Sequence, residues 1–275
     1  MINILFGGNY KVFNGILLCL MSMTKHCSDT LNIYILTADI TEINPNYKPL
    51  TKYQVATLDN ILKIANPKSK IKLITLGKDF NNWVLSSSNK LNSYTPYAFL
   101  RLFADKIKNL PNKIIYLDTD IMINGNISEL FNIDISNHEL GIVKDRYGHF
   151  FINPKYFNSG MLLMNMNKIK ETNLLDKVRK MCKSKKMTFP DQSALNKFCK
   201  FKLYLPRKFN EQGRLRNDTI VQHFSKRFKL FPFFHTINIK PWQIKDIQTK
   251  YHCHQYDDIF DEYLKIKTDN SFLNK

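Results

Sequence analysis

Apolar positions along this chain fall into two alternating rhythms. Ile2-Asn3-Ile4-Leu5-Phe6 is a short apolar run closed by Gly7-Gly8-Asn9, and residues 15–23 then carry a helical pattern. A second run at 31–36, rich in β-branched residues, ends at Thr37-Ala38-Asp39, and Lys70–Leu76 supplies a third. Between them, Lys52–Ala65 has helical spacing through Leu58, Ile61, Leu62 and Ile64. Strands alternating with helices in this way predict βαβ units, a mainly parallel sheet and right-handed crossovers, hence an α/β fold.

Further along, residues 97–107 predict an amphipathic helix with Leu100, Phe103 and Ala104 inward, broken by Pro111-Asn112. Lys113–Leu117 then forms a buried strand that runs straight into Asp118-Thr119-Asp120. Residues 159–165 are nearly all apolar, as expected for a strand covered on both faces. A basic helix is predicted over 169–183, and Phe189-Pro190-Asp191-Gln192 opens another at 193–200. Beyond Pro206, aromatic, basic and proline residues interleave through 228–242. Residues 244–275 read as a helical extension with Ile259, Phe260, Tyr263 and Leu264 on one side. The expected organisation is one catalytic-sized unit, 1–243, with a C-terminal extension, 244–275; the 275-residue length suits a single main core.

Charge adds a constraint on partners. Forty-one Lys and Arg against 23 Asp and Glu give a formal charge of +18, which concentrates anions around the molecule: nucleic acid, an anionic membrane surface or a phosphorylated small molecule. The five cysteines form no CxxC pair and are odd in number, the pattern of reduced thiols in a cytoplasmic protein. The apolar segment 12–23 is shorter than the roughly 20 residues a bilayer span needs, and it lacks the flanks of a signal peptide.

The strongest local chemistry is Asp118-Thr119-Asp120. An apolar strand delivers two carboxylates, one residue apart, to the C-terminal edge of a sheet, where open α/β folds bind ligands. Hard oxygen donors there suit Mg²⁺ or Mn²⁺, which neutralise a diphosphate. Two carboxylates need further ligands. His223 qualifies because it ends the strand-like run Thr219-Ile220-Val221-Gln222, and His235 competes from Phe233-Phe234-His235, while His252 and His254 read as surface residues. Asp191 has two readings, a ligand group or the N-cap of the helix at 193.

Taken in order, the residues resemble glycosyltransferase family 8, the retaining enzymes that include bacterial lipopolysaccharide galactosyl- and glucosyltransferases. The matching pieces are Ile4-Leu5-Phe6-Gly7-Gly8-Asn9, Tyr97-Ala98-Phe99-Leu100-Arg101-Leu102, Ile115-Tyr116-Leu117-Asp118-Thr119-Asp120, Tyr156-Phe157-Asn158-Ser159-Gly160-Met161-Leu162-Leu163-Met164-Asn165, Pro190-Asp191-Gln192, and His223-Phe224 with Lys240-Pro241-Trp242. Each is weak alone; all six in family order are specific.

The resemblance implies a GT-A fold, a Rossmann-like, mixed but mainly parallel sheet flanked by helices. It implies a UDP-sugar donor, galactose or glucose, and a saccharide, glycolipid or glycoprotein acceptor in cell-surface glycan or lipopolysaccharide synthesis. Asp118, Asp120 and His223 are implied as ligands of Mn²⁺ (or Mg²⁺). Gly8, Asn9, Arg101, Thr119, Asp145, Asn158, Gly160 and Lys240 are implied as donor contacts, Asn9 toward the uridine, Asp145, Asn158 and Gly160 toward sugar hydroxyls, and Lys240 toward the diphosphate. Gln192 and Asp191 are implied on the reacting face of the sugar.

The chain departs from the pattern in two places: the first turn reads Gly7-Gly8-Asn9-Tyr10-Lys11, and His223 stands 17 residues before Lys240, with 226–239 resembling an insertion. Rival readings are a basic nucleic-acid-binding protein, suggested by the charge and by Phe228, Phe231 and Phe234, and a nucleotide-sugar hydrolase or self-glycosylating enzyme on the same fold. A further expectation is peripheral contact of the basic, aromatic stretch 226–251 with the inner membrane face.

Overall fold

A computed structural model describes residues 1–90, 95–229 and 235–269; Phe231, Phe233 and Phe234 lie outside them. The first half alternates strand and helix as the apolar rhythm predicts: β1 (Ile2–Gly7), α1 (Phe13–His26), β2 (Leu31–Ala38), α2 (Lys52–Ala65), β3 (Lys70–Leu76) and α3 (Lys78–Leu85). A 3-10 segment, Pro96–Lys106, leads to β4 (Lys113–Leu117), β5 (Ile121–Ile123), α4 (Ser128–Phe131), β6 (Leu140–Lys144), α5 (Gly148–Phe151) and β7 (Phe157–Asn165). There follow α6 (Met166–Glu171), α7 (Leu174–Ser184), α8 (Pro190–Phe198), β8 (Lys202–Tyr204), β9 (Val221–His223), β10 (Arg227–Lys229), β11 (His235–Ile237), α9 (Ile244–Lys250) and α10 (Asp257–Asp269).

Seven strands form the central sheet in the order β3-β2-β1-β4-β7-β6-β8. The β3-β2-β1-β4 block is parallel, β7 runs antiparallel to both β4 and β6, and β8 returns parallel to β6. Strand alternation divides the apolar side chains between two layers. Ile4, Phe6, Ile115 and Leu117 face α1 and α2, whereas Leu5, Ile114 and Tyr116 face the 3-10 segment, α7 and α8. Both faces are thus covered, as near-continuous apolar strands require.

Local propensity yields to tertiary contact at several points. The predicted helix at 97–107 is wound as a 3-10 segment, its Tyr97, Leu100, Phe103 and Ala104 buried against the sheet. The basic helix predicted over 169–183 is two helices, because Asn173 turns left-handed at φ 54° and breaks the ladder. Asp191 is not an N-cap: α8 begins one residue earlier with Pro190 at its first position, and Phe189 occupies the cap with no side-chain bond.

The C-terminal helices share the main core. Ile259, Phe260 and Tyr263 sit in the same apolar cluster as α1, while Leu264, expected on that side, is 44% exposed. Replacing Phe260 by Ala is expected to lower unfolding free energy by about 3–5 kcal/mol, as for other buried aromatic truncations. Urea unfolding measures this, and a loss under about 1 kcal/mol would mean that 257–269 does not belong to the core.

Candidate active site

Two strand registers build the site. β4 ends at Leu117, paired with Met161 of β7, and the ladder continues with Asp118 N–H donating to Gly160 O at 2.7 Å. β5 pairs antiparallel with β9, Ile121 opposite His223, and Phe224 N–H donates to Asp120 O at 2.9 Å. The first register sets Asp118 against Gly160; the second sets His223 beside Asp120. As a result Asp118, Asp120 and His223 each offer a ligand atom, all within 4.8 Å of one another. A Cβ on Gly160 would lie 2.2 Å from His223 Cε1 and 2.9 Å from Asp118 Oδ2, so the imidazole occupies the space that the missing side chain leaves.

Each donor is oriented by a partner. His223 Nδ1 lies 3.1 Å from Asn210 Oδ1, a contact that orients the ring with Nε2 toward Asp120 Oδ1, 3.2 Å away. Asp118 Oδ1 accepts from Tyr116 Oη at 2.7 Å and meets Arg101 Nη1 at 3.2 Å, leaving Oδ2 toward His223. Asp120 Oδ2 is 2.5 Å from Lys240 Nζ. Burial opposes ionisation of Asp120, but Lys240 and His223 outweigh it and hold the carboxyl below its usual range. Two carboxylates and one neutral imidazole suit Mn²⁺ or Mg²⁺, the imidazole favouring Mn²⁺.

Arg101 is buried at the hub. Its Nη2 meets Asp191 Oδ2 at 3.0 Å, Nη1 donates to Ser159 O at 2.5 Å, Nε donates to Ala98 O at 3.1 Å, and the guanidinium lies 4.3 Å from the Tyr116 ring centroid. Among the described residues four of its five N–H groups have an acceptor, so the fork is committed to protein groups more than to a ligand. Burial raises the Asp191 carboxyl above its ordinary value, with Arg101 working against the rise. On the other side, Gln192 Oε1 accepts from Ser159 N–H at 3.0 Å, and its Nε2 lies 3.3 Å from Asp145 Oδ2, which also accepts from Asn158 Nδ2 at 3.0 Å.

These groups border a cleft of about 520 Å³ that reaches from Gly7, Gly8 and Val12 to Gln192 and includes Thr119, Asn158, Lys240 and Trp242. Three residues expected as donor contacts are not among those that line it. Asn9 is buried, its Oδ1 accepting from Lys11 N–H as the cap of a short 3-10 turn. Asp145 is reached through Gln192 and Asn158, and Gly160 through His223. His235 is exposed on β11, outside the donor cluster. Sequence reading did not single out Tyr116, Ser159 or Asn210. Tyr116 and Ser159 lie inside recognised motifs, whereas Asn210 carries no spacing signal, since it meets His223 only through the fold. Asn210→Ala is expected to weaken Mn²⁺ binding by roughly 10–100-fold, the usual cost of losing a histidine's orienting partner. Calorimetric titration reads this directly; unchanged affinity would remove Asn210 from the site.

The model of the family "Glycosyl transferase family 8" matches residues 3–246. A putative glycosyltransferase of Haemophilus influenzae is 31% identical over 225 residues, covering 76% of this chain and 62% of that protein. The lipopolysaccharide 1,2-glucosyltransferase of Escherichia coli is 27% identical over 163 residues, 52% of this chain and 48% of its own. The chain therefore spans less than two thirds of these relatives. Among solved structures, the glycosyltransferase GlyE of Streptococcus pneumoniae superposes with a TM-score of 0.66 at 17% identity, over 97% of this chain and 65% of that one. The galactosyltransferase LgtC, solved with donor and acceptor sugar analogues, superposes with a TM-score of 0.58 at 18% identity, over 81% of this chain and 86% of its own. At these identities the structural likeness establishes the fold.

Proposed function

The chain belongs to glycosyltransferase family 8, and we propose that it is a cytoplasmic, metal-dependent enzyme that transfers galactose or glucose from a UDP-sugar to a saccharide acceptor with retention of configuration. The observation that carries this reading is the Asp118, Asp120 and His223 cluster, which lines one cleft together with Gly7 and Gly8. Bound by these three residues, Mn²⁺ or Mg²⁺ supplies Lewis-acid neutralisation of the donor diphosphate. Lys240, resting on Asp120, turns to the diphosphate as negative charge builds on the leaving group. Arg101 is a positioning residue that bridges Asp118 and Asp191.

Asn158 binds a donor-sugar hydroxyl while Asp145 orients its amide, and Asp191 lies against the same sugar. Gln192 is a poor nucleophile, so its amide, held by Ser159 and Asp145, stabilises the developing positive charge at the anomeric carbon. The departing phosphate oxygen takes the proton of the acceptor hydroxyl as that hydroxyl attacks from the same face. The chemistry fits lipopolysaccharide or another cell-surface glycan as the product. A screen of UDP-galactose, UDP-glucose and other nucleotide sugars with Mn²⁺, read as UDP release, is expected to give turnover with one hexose donor. Failure of every donor, together with no Mn²⁺-dependent thermal shift with UDP, would overturn the proposal. Labelling of the protein itself without acceptor would instead identify self-glycosylation.

A further inference from the structure

A larger cavity, about 770 Å³, lies across Asn210 from the donor cluster and is lined by Lys144, Arg146, His149, Arg207, Arg214 and Arg216 among others. A neighbouring cavity of about 560 Å³ contains Arg227 and Tyr251, and the two share Gly213, Arg214 and Leu215 as a common wall. The local carboxylate is already spent: Glu211 pairs with Arg207 and, at 3.5 Å, with Arg216, and Asp218 takes the other end of Arg207. Arg146, Arg214 and Arg227 have no carboxylate within ion-pair distance among the described residues.

Arg227 is the telling member. It is largely withdrawn from water, 3.9 Å from the Tyr251 ring centroid, with Nη2 donating to Gly213 O at 2.7 Å and Nε buried without a partner. Burial lowers its pKa, and Arg146 adds to the effect despite Tyr251. Arg146 reaches the same spot from the other cavity: a Cβ on Gly213 would lie 2.3 Å from Arg146 Nη1. Two guanidiniums thus converge on one side-chain-free residue, and the carboxylate beside them, Glu211 with Oε1 2.8 Å from the same Cβ position, is already shared with Arg207 and Arg216; such an excess of buried positive charge costs folding energy and is relieved by an anion. Arg146 directly follows Asp145, whose carboxylate accepts from Gln192 and Asn158, so the groove adjoins the sugar end of the donor cleft.

We infer that this arginine groove is the anion-recognition part of the acceptor site, taking a saccharide that carries a phosphate or carboxylate group between Arg146, Arg214 and Arg227. The inference rests on the transferase reading for the identity of its ligand as acceptor. Calorimetry with the whole chain compares glucose 6-phosphate, glucuronic acid and glucose, with UDP and Mn²⁺ saturating and again without them. At least one anionic sugar is expected to bind roughly tenfold or more tighter than glucose, as charge-assisted bonds to arginine predict, and the tighter of the two identifies the group. Because Arg227 packs on Tyr251, the decisive variants are the exposed Arg146→Ala and Arg214→Ala, which together are expected to erase the preference while leaving UDP affinity within about twofold. Equal binding of all three sugars, or a preference that survives in the double variant, overturns the inference. Loss of the UDP and Mn²⁺ response in the wild-type chain would instead strike the transferase reading, and the anion preference is read independently of it.

Discussion

Replacing Asp120 by Ala is expected to remove Mn²⁺-dependent UDP binding and to reduce turnover by on the order of 10³-fold or more. The carboxylate is the meeting point of the site, 3.2 Å from His223 Nε2 and 2.5 Å from Lys240 Nζ. Without it the cluster falls to one carboxylate and one imidazole, too few to hold a hard cation against water. Asp118→Ala acts in the same direction and also leaves the buried Arg101 with Asp191 alone. Because Lys240 is partly exposed, the fold should survive. Differential scanning fluorimetry tests both points. In the wild type, UDP with Mn²⁺ at about 100 times its Kd stabilises by about 2.7 kcal/mol. The Asp120→Ala protein should melt cooperatively without that shift, and retention of the shift with normal turnover would exclude the proposed metal role.

The second large effect is expected from adding one methyl group. Gly160→Ala in a strand interior would ordinarily stabilise by about 0.5–1 kcal/mol, since glycine loses the most entropy on folding. Gly160 has no left-handed backbone to protect. Here the new Cβ would stand 2.2 Å from His223 Cε1 and 2.8 Å from its Nδ1, against a ring 3% exposed and pinned by Asn210. The imidazole must move or the strands must part, at about 1–3 kcal/mol for overpacking. Either response pulls Nε2 away from Asp120. The sign is therefore inverted: lower stability in urea and Mn²⁺ affinity weakened at least about tenfold, as for other disturbances of a ligand's supporting shell. A variant that is more stable and binds Mn²⁺ normally would show that His223 is not held in this space.

The alternation of elements is legible along the chain, because a short apolar run buried on both faces and a helix with one apolar stripe leave different periods. Legible too are the two carboxylates at a strand end, since Lys113–Leu117 leads into Asp118 with no residue between. That legibility stops where the partner is distant. His223 over His235 follows from the β5-β9 register, which joins residues a hundred positions apart. Arg101 faces carboxylates because a 3-10 segment, wound by its burial against the sheet, turns it inward. Asn9 is a cap, Asn210 orients an imidazole, and Arg146 and Arg227 meet at Gly213 beside a Glu211 already paired with Arg207. Local pattern encodes how each segment buries its own apolar side chains, and only the pairing of segments across the fold decides which polar groups come within reach of one another.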